Sequence, residues 1–219
     1  MLAGATGRHP GHPPLAGGGA GTRAAPALRA GGRPHADPLA RLGVDAETAR
    51  GLEAWLDVLA VWSGRTNLTA ARTAEARVRV LVEPALPAVA LLEPGRLIDV
   101  GSGNGSPGLV LALLRPDLPA TLLEPRARRW AFLLEACRAA GRADIDVLRA
   151  RHDEYRGPGA RNVTLRALRL GCRELLPLVE PGGQALFFGE GAPGDPAFQG
   201  EPAPPGLTRY RRVSRETRR

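Results

Sequence analysis

Apolar and polar positions change rhythm at about Gly95. Upstream, from Asp45, the spacing is helical: Leu52, Trp55, Leu56, Leu59 and Trp62 share one face, with Glu53 and Asp57 on the other. Asp45 suits the N-cap of this helix and Gly64 its stop. A second helical stretch over 73–92 is expected in pieces, because Pro84 and Pro87 interrupt it and Pro94 follows. Downstream the pattern alternates. Strands are expected at 97–100, 120–123, 145–148, 162–165 and 184–188, and helices at 107–114, 125–140 and 167–178. Alternation of this kind predicts an α/β fold, a mostly parallel doubly wound sheet covered on both faces, with a helical N-terminal extension.

Composition divides the 219 residues further. Aromatics are only 4%, so the core must come from Leu, Val and Ala. Residues 1–36 hold nine Gly, five Pro, four Arg and no acid, and read as a disordered low-complexity tail. Residues 37–94 then form the helical part and 95–219 the α/β core, together one globular domain. Two cysteines, Cys137 and Cys172, make neither a disulfide framework nor a Cys-rich zinc site. Apolar runs stay short of the ~18–20 residues of a membrane span, and the N-terminus has no signal-peptide stretch. A monomeric cytoplasmic protein is expected, without a metal.

The formal charge is +8, and every one of the 30 basic residues is arginine. Much of the excess lies at the two ends, yet residues 126–173 hold 12 Arg against 5 acids. Such a block suits a polyanionic partner.

The run Leu97-Ile98-Asp99-Val100-Gly101-Ser102-Gly103-Asn104-Gly105-Ser106-Pro107-Gly108 carries the chemistry. A strand ends in a carboxylate, a glycine-rich turn follows and a helix begins, with Ser106 placed to cap it and Pro107 at its first position. Glycines let the backbone take positive φ and let a ligand approach closely. Gly103, Gly105 and Gly108 also spell the weak G-x-G-x-x-G pattern of dinucleotide sites, and a plain tight turn is the alternative. Asp99 favours S-adenosyl-L-methionine over NAD: two residues before the first glycine it would meet an ammonium group and repel a pyrophosphate. Glu124 ends the second strand, placed to accept ribose hydroxyls of either nucleoside ligand; a solvated strand-end acid is the bland reading.

At these residues the chain resembles Rossmann-like class I AdoMet-dependent methyltransferases. The wider sequence is similar to the RsmG (GidB) family, which methylates a guanine N7 of bacterial 16S ribosomal RNA. Trp62-Ser63-Gly64-Arg65-Thr66-Asn67-Leu68-Thr69, Arg126–Leu133, Arg151-His152-Asp153-Glu154, Leu165-Arg166-Ala167 and Pro181-Gly182-Gly183 match its stretches in order, over roughly residues 45–190. The resemblance implies that Asp99, Gly101, Gly103, Gly105, Glu124 and Asp153 bind the cofactor, Asp153 facing its adenine. Asp153 is equally suited to pair with a neighbouring arginine. The implied partner is 16S ribosomal RNA or the small subunit.

The departures fall on the substrate side. The family's H-x-x-D-S reads Val80-Leu81-Val82-Glu83-Pro84 here, Ser106 replaces an aromatic, Glu190 replaces a lysine, and the C-terminal strand pair reads as abbreviated. A degenerate relative that binds AdoMet or RNA without transfer, and a small-molecule methyltransferase, are the alternatives.

Guanine N7 has a lone pair and no proton to lose, so its methylation needs positioning and no general base. Arg166, after the fourth strand, is the candidate catalytic residue, contacting RNA phosphate or the target base; a solvated helix-start arginine is the alternative. Arg126, Arg128, Arg129 and Arg166 are the candidate RNA contacts. Cys172 reads as buried and structural, Trp55 and Trp62 as core, His152 as incidental, and Asn67 as a turn brace or cleft wall.

Overall fold

The computed structural model describes residues 33–191 and 193–213. Residues 1–32 of the expected tail lie outside that range, and 33–36 do not continue it. Arg33 binds Glu53, and His35 is 1% exposed with Nδ1 3.0 Å from Asp57 Oδ1. Helix α1 (Ala36–Ala40) begins there.

Helix α2 (Ala46–Trp62) is capped as expected: Asp45 Oδ1 accepts the Glu47 and Thr48 N–H groups at 3.0 Å. It ends as Gly64 implies, with Ser63 as its C-cap and Gly64 in the position after it. Leu52, Trp55, Leu56 and Leu59 are fully buried. Glu53, expected on the polar face, is buried too, because the segment before α1 folds over it. The next stretch is broken into α3 (Ala74–Arg77), a π-helical turn (Val78–Val82), a 3-10 turn (Glu83–Ala85) and α4 (Leu86–Val89). Pro84 and Pro87 fall in its last two pieces, where their missing N–H groups are tolerated.

The sheet comprises β1 (Leu97–Val100), β2 (Ala120–Leu123), β3 (Asp146–Leu148), β4 (Ala160–Arg166), β5 (Val179–Phe188), β6 (Phe198–Glu201) and β7 (Leu207–Arg212). Their order is β3-β2-β1-β4-β5-β7-β6; the first five strands run parallel, and β7 is antiparallel to both β5 and β6. The order reverses direction at β1, between β2 and β4. That places a crevice outside the C-terminal ends of β1 and β4.

Helices α2, α5 (Gly108–Leu114) and α6 (Ala127–Ala139) cover one face over the larger core. Trp62 meets Phe132 edge-on at 5.9 Å and donates Nε1–H to Glu135 at 2.9 Å, tying α2 to α6. The other face is thinner. The helix expected over 167–178 is one turn, α7 (Cys172–Leu175), because Gly171 before it is extended and Pro177 has no N–H to continue it. Cys172 is fully buried in this turn, and burial pushes its thiol up to about 11, an inert structural cysteine.

The C-terminal strand pair is present rather than abbreviated. Glu93 accepts hydrogen bonds from Arg161 Nε at 2.6 Å and Arg209 Nη2 at 3.4 Å, and Arg211 Nη1 lies 2.6 Å from it. Glu201 on β6 binds Arg209 and Arg211 at 2.9 and 3.1 Å. This network locks β7 and β6 onto the N-terminal ends of the central strands. Glycines and prolines in 191–206 hide the strand pattern from a reading of local spacing.

Candidate functional site

The glycine loop stands at the crevice. Gly101, Gly103 and Gly105 all have positive φ, 70°, 51° and 95°. At Gly101 a side chain is doubly excluded, since a Cβ would lie 2.6 Å from Leu168 Cδ1. Long-range contacts hold the loop from behind. Trp55 donates Nε1–H to the Asn104 carbonyl at 2.9 Å, and Asn104 Nδ2 donates to the Leu68 carbonyl at 3.0 Å. Ser106 does not cap α5: its hydroxyl donates to the Leu81 carbonyl at 2.7 Å, and Pro107 is the N-cap residue.

Glu124, at the end of β2, is 3% exposed and reaches the loop as its position implies. Oε2 accepts the Gly103 N–H at 3.0 Å and Oε1 the Arg126 N–H at 2.8 Å. An ionised carboxylate has about four acceptor sites, so about two remain for hydroxyl donors.

Asp99 takes a different position from the one its spacing implies. Successive strand residues alternate between faces, and Asp99 points toward α5, away from the crevice. It is 1% exposed; Thr164 donates to Oδ1 at 2.7 Å, and Oδ2 is buried without a partner. Gly108 packs directly on it, a Cβ there falling 2.4 Å from Asp99 Cβ. Burial, with Glu124 nearby, raises its pKa to about 6 despite the Thr164 bond. Asp99 therefore supports the loop from beneath.

A cavity of 380 Å³ opens over these residues, within the usual range for small-ligand sites. Gly101 and Glu124 line it, as do Arg126, Arg129, Arg151, Arg166 and Arg169. Five arginines and one carboxylate are thus among its lining residues. Asp153 is not in its wall: it is exposed and bound to Arg151 at 3.1 Å, which holds its carboxyl below the usual range. His152 does line the cavity. Arg128 is exposed on α6 outside the wall. The Asn67 backbone carbonyl accepts from Arg129 Nη2 at 3.4 Å.

Arg166 is not a solvated helix-start residue. Its Nη1 donates to the Val80 carbonyl at 3.0 Å and the Ser106 hydroxyl at 3.1 Å. Ala167 follows with φ of 55°, a strained value for a residue with a Cβ, and the turn lays Leu168 over Gly101. Leu168, Arg169 and Leu170 also wall a second cavity, of 720 Å³, that extends past Phe187 to Glu190 and Asp195. No periodicity marks Ala167 or Leu168; only their place after β4 points to them.

The site fits S-adenosyl-L-methionine on two counts: a buried strand-end carboxylate with accepting capacity left, and a glycine backbone open to close approach.

The chain is similar in sequence to known proteins over much of its described length. The family described as GidB, rRNA small subunit methyltransferase G, matches residues 48–189. Ribosomal RNA small subunit methyltransferase G of Halorhodospira halophila is 34% identical over 152 residues, 69% of this chain and 70% of that protein. The same-named protein of Symbiobacterium thermophilum is 39% identical over 170 residues, 68% of each chain. That of Mycobacterium leprae is 43% identical over 104 residues, 44% of this chain and 42% of its own length. Among solved structures, the putative methyltransferase yhhF from Escherichia coli is 13% identical with a TM-score of 0.49, covering 58% of this chain and 82% of that one. With its profile matched across most of the described residues and two relatives covered over two thirds of their length, this chain belongs to the rRNA small subunit methyltransferase G family.

Proposed function

We propose that this protein is an S-adenosyl-L-methionine-dependent methyltransferase of the small-subunit ribosomal RNA, acting on a guanine N7 in the cytoplasm. The observation that carries this reading is the composition of the cleft: one buried carboxylate at its nucleoside end, in a wall of five arginines. A cofactor whose sulfonium and ammonium outnumber its one carboxylate would not by itself call for that wall; a polyanion does. This favours RNA over a small-molecule acceptor.

In this reading Glu124 takes the ribose hydroxyls, and the backbone at Gly101, Gly103 and Gly105 approaches the amino-acid arm. Arg126 and Arg129 at the rim, with Arg128 beside them, hold RNA phosphates. When bound, the cofactor supplies an electrophilic methyl group on a sulfonium. The protein's part is to fix donor and acceptor in line and to exclude water, which suits a nucleophile with no proton to lose.

The test is calorimetry with S-adenosylhomocysteine, then transfer of labelled methyl to unmethylated small subunits and to naked rRNA, read as 7-methylguanosine. Binding with transfer is expected, and Glu124→Ala is expected to lower affinity at least ~10-fold, since it removes two charge-assisted hydrogen bonds as well as the hydroxyl acceptors. Binding without transfer would leave the degenerate reading, motivated by Val80–Pro84 and Glu190. Absence of binding would end the methyltransferase reading altogether.

A further inference from the structure

Two cavities adjoin beside the C-terminal end of β4, and the second inverts the charge of the first. The cofactor cavity has five arginines and one carboxylate in its wall. The neighbouring cavity of 720 Å³ shares Leu168, Arg169 and Leu170 with it, yet sets three carboxylates, Glu174, Glu190 and Asp195, against Arg169 and Arg173. Such a wall suits a ligand part that offers hydrogen-bond donors, since a carboxylate only accepts. Glu174 Oε2 accepts the Gly171 N–H at 2.9 Å and Asp195 Oδ1 the Ala197 N–H at 2.8 Å, so both hold their own loops. Glu190 is exposed and enters no hydrogen bond or ion pair with the described residues. Its backbone is fixed on both sides. The Gly189 N–H donates to the Gly206 carbonyl at 2.9 Å, and Gly191 packs on Thr208, where a Cβ would fall 2.9 Å from Cγ2.

Alone among the four bases, guanine presents two donors side by side on its Watson–Crick edge, N1–H and the N2 amine, which match the two oxygens of one carboxylate. Adenine presents a lone pair at N1, which a carboxylate repels. N7 lies across the purine from that edge, so a guanine gripped there turns N7 away from the grip. Arg166 pairs with Phe188 across β4 and β5, and Glu190 stands two residues beyond Phe188, at the same end of the sheet as the glycine loop. We propose that the second cavity receives the target guanine and that Glu190 reads its N1–H and N2 amine. N7 then points across Leu168, 39% exposed in the shared wall, toward the cofactor cavity. The inference rests on the guanine N7 reading above and deepens it. It also gives Glu190 a second effect: methylation at N7 puts positive charge on the purine, which a carboxylate at the opposite edge stabilises. The departure from the family pattern at Glu190 is then a specificity device of this chain.

The test is a cycle of protein and base changes. Wild type first methylates unmethylated small subunits, and the 7-methylguanosine is mapped. Subunits are then reconstituted from rRNA carrying guanine or inosine at that position; inosine lacks the N2 amine. Wild type and Glu190→Ala are compared by filter binding with S-adenosylhomocysteine present and by single-turnover transfer. Inosine is expected to slow wild type about 10- to 100-fold, the loss of a hydrogen bond to a charged group, and Glu190→Ala less than about 3-fold. Binding is expected to weaken in the same order. Equal losses in both proteins would overturn the proposal, because Glu190 then does not touch that edge. Calorimetry with S-adenosylhomocysteine is expected to give Glu190→Ala the wild-type affinity, which shows that the variant is folded. A variant that loses this affinity would place Glu190 in the support of the cofactor cleft and overturn the proposal. A wild type that binds S-adenosylhomocysteine yet methylates no guanine N7 would overturn the proposed function, and this inference with it.

Discussion

Glu124 and Asp99 are two carboxylates on neighbouring strands, and their surroundings give them opposite work. Glu124 reaches out of the sheet edge and binds backbone N–H groups, a charged acceptor held ready. Asp99 turns inward and is ionised only against burial, which raises its pKa from 3.8 to about 6. Because the folded protein holds this proton more tightly than the unfolded chain, stability from Asp99 is full below about pH 4 and is lost as pH rises through about 6. Asp99→Asn should remove that dependence and raise the stability of the ligand-free protein at pH 8, by about 1–3 kcal/mol. Urea titrations of both proteins at pH 4.5 and pH 8 measure it. A wild type no less stable relative to the variant at pH 8 than at pH 4.5 would exclude a buried ionised Asp99.

At the scale of elements, the least regular pieces hold the site. The π-helical turn Val78–Val82 leaves the Val80 and Leu81 carbonyls to bind Arg166 and Ser106. The altered family stretch thus contributes through its backbone, which tolerates a change of side chains. The opposite end of the sheet is held by the arginines gathered on Glu93. Burial would raise the pKa of Glu93, but its bonds with Arg211 and Arg161 outweigh that and lower it. Glu93→Ala leaves Arg161, Arg209 and Arg211 facing one another. It should cost about 1–3 kcal/mol, discounted for partial exposure. The loss should appear as a lower thermal midpoint and faster hydrogen exchange in β6 and β7. Unchanged exchange there would mean that the hairpin is held by its strand pairing alone.

For the whole molecule, the uneven placement of charge matters more than the total of +8. The basic block over 126–173 folds so that five arginines wall one cleft, four of them from that block's loops and helix start. RNA binding through such a wall releases counterions and falls steeply with salt. The triple variant Arg126→Ala, Arg128→Ala, Arg129→Ala should lower the slope of log affinity against log salt by about 2–3. Filter binding of small-subunit RNA across a salt series reads this directly. A slope that stays the same would move the RNA interface off this rim.

The sequence by itself determined the strand–loop–helix unit with Glu124 on the next strand, the broken helix after Thr73, the α2 core face and the family. Each is written in spacing among near neighbours: a capping residue, a glycine needing positive φ, apolar residues one helical turn apart. Its matching stretches, over roughly residues 45–190, coincide with the family match at 48–189. Tertiary structure alone decided where Asp99 points, that Asp153 pairs with Arg151 outside the cleft, that β6 and β7 complete the sheet, and what Arg166 touches. The partners of Arg166 lie 86 and 60 residues away along the chain. No local periodicity carries information over that distance; it arises only when burial of the apolar faces brings β4, the glycine loop and the π-helical turn together.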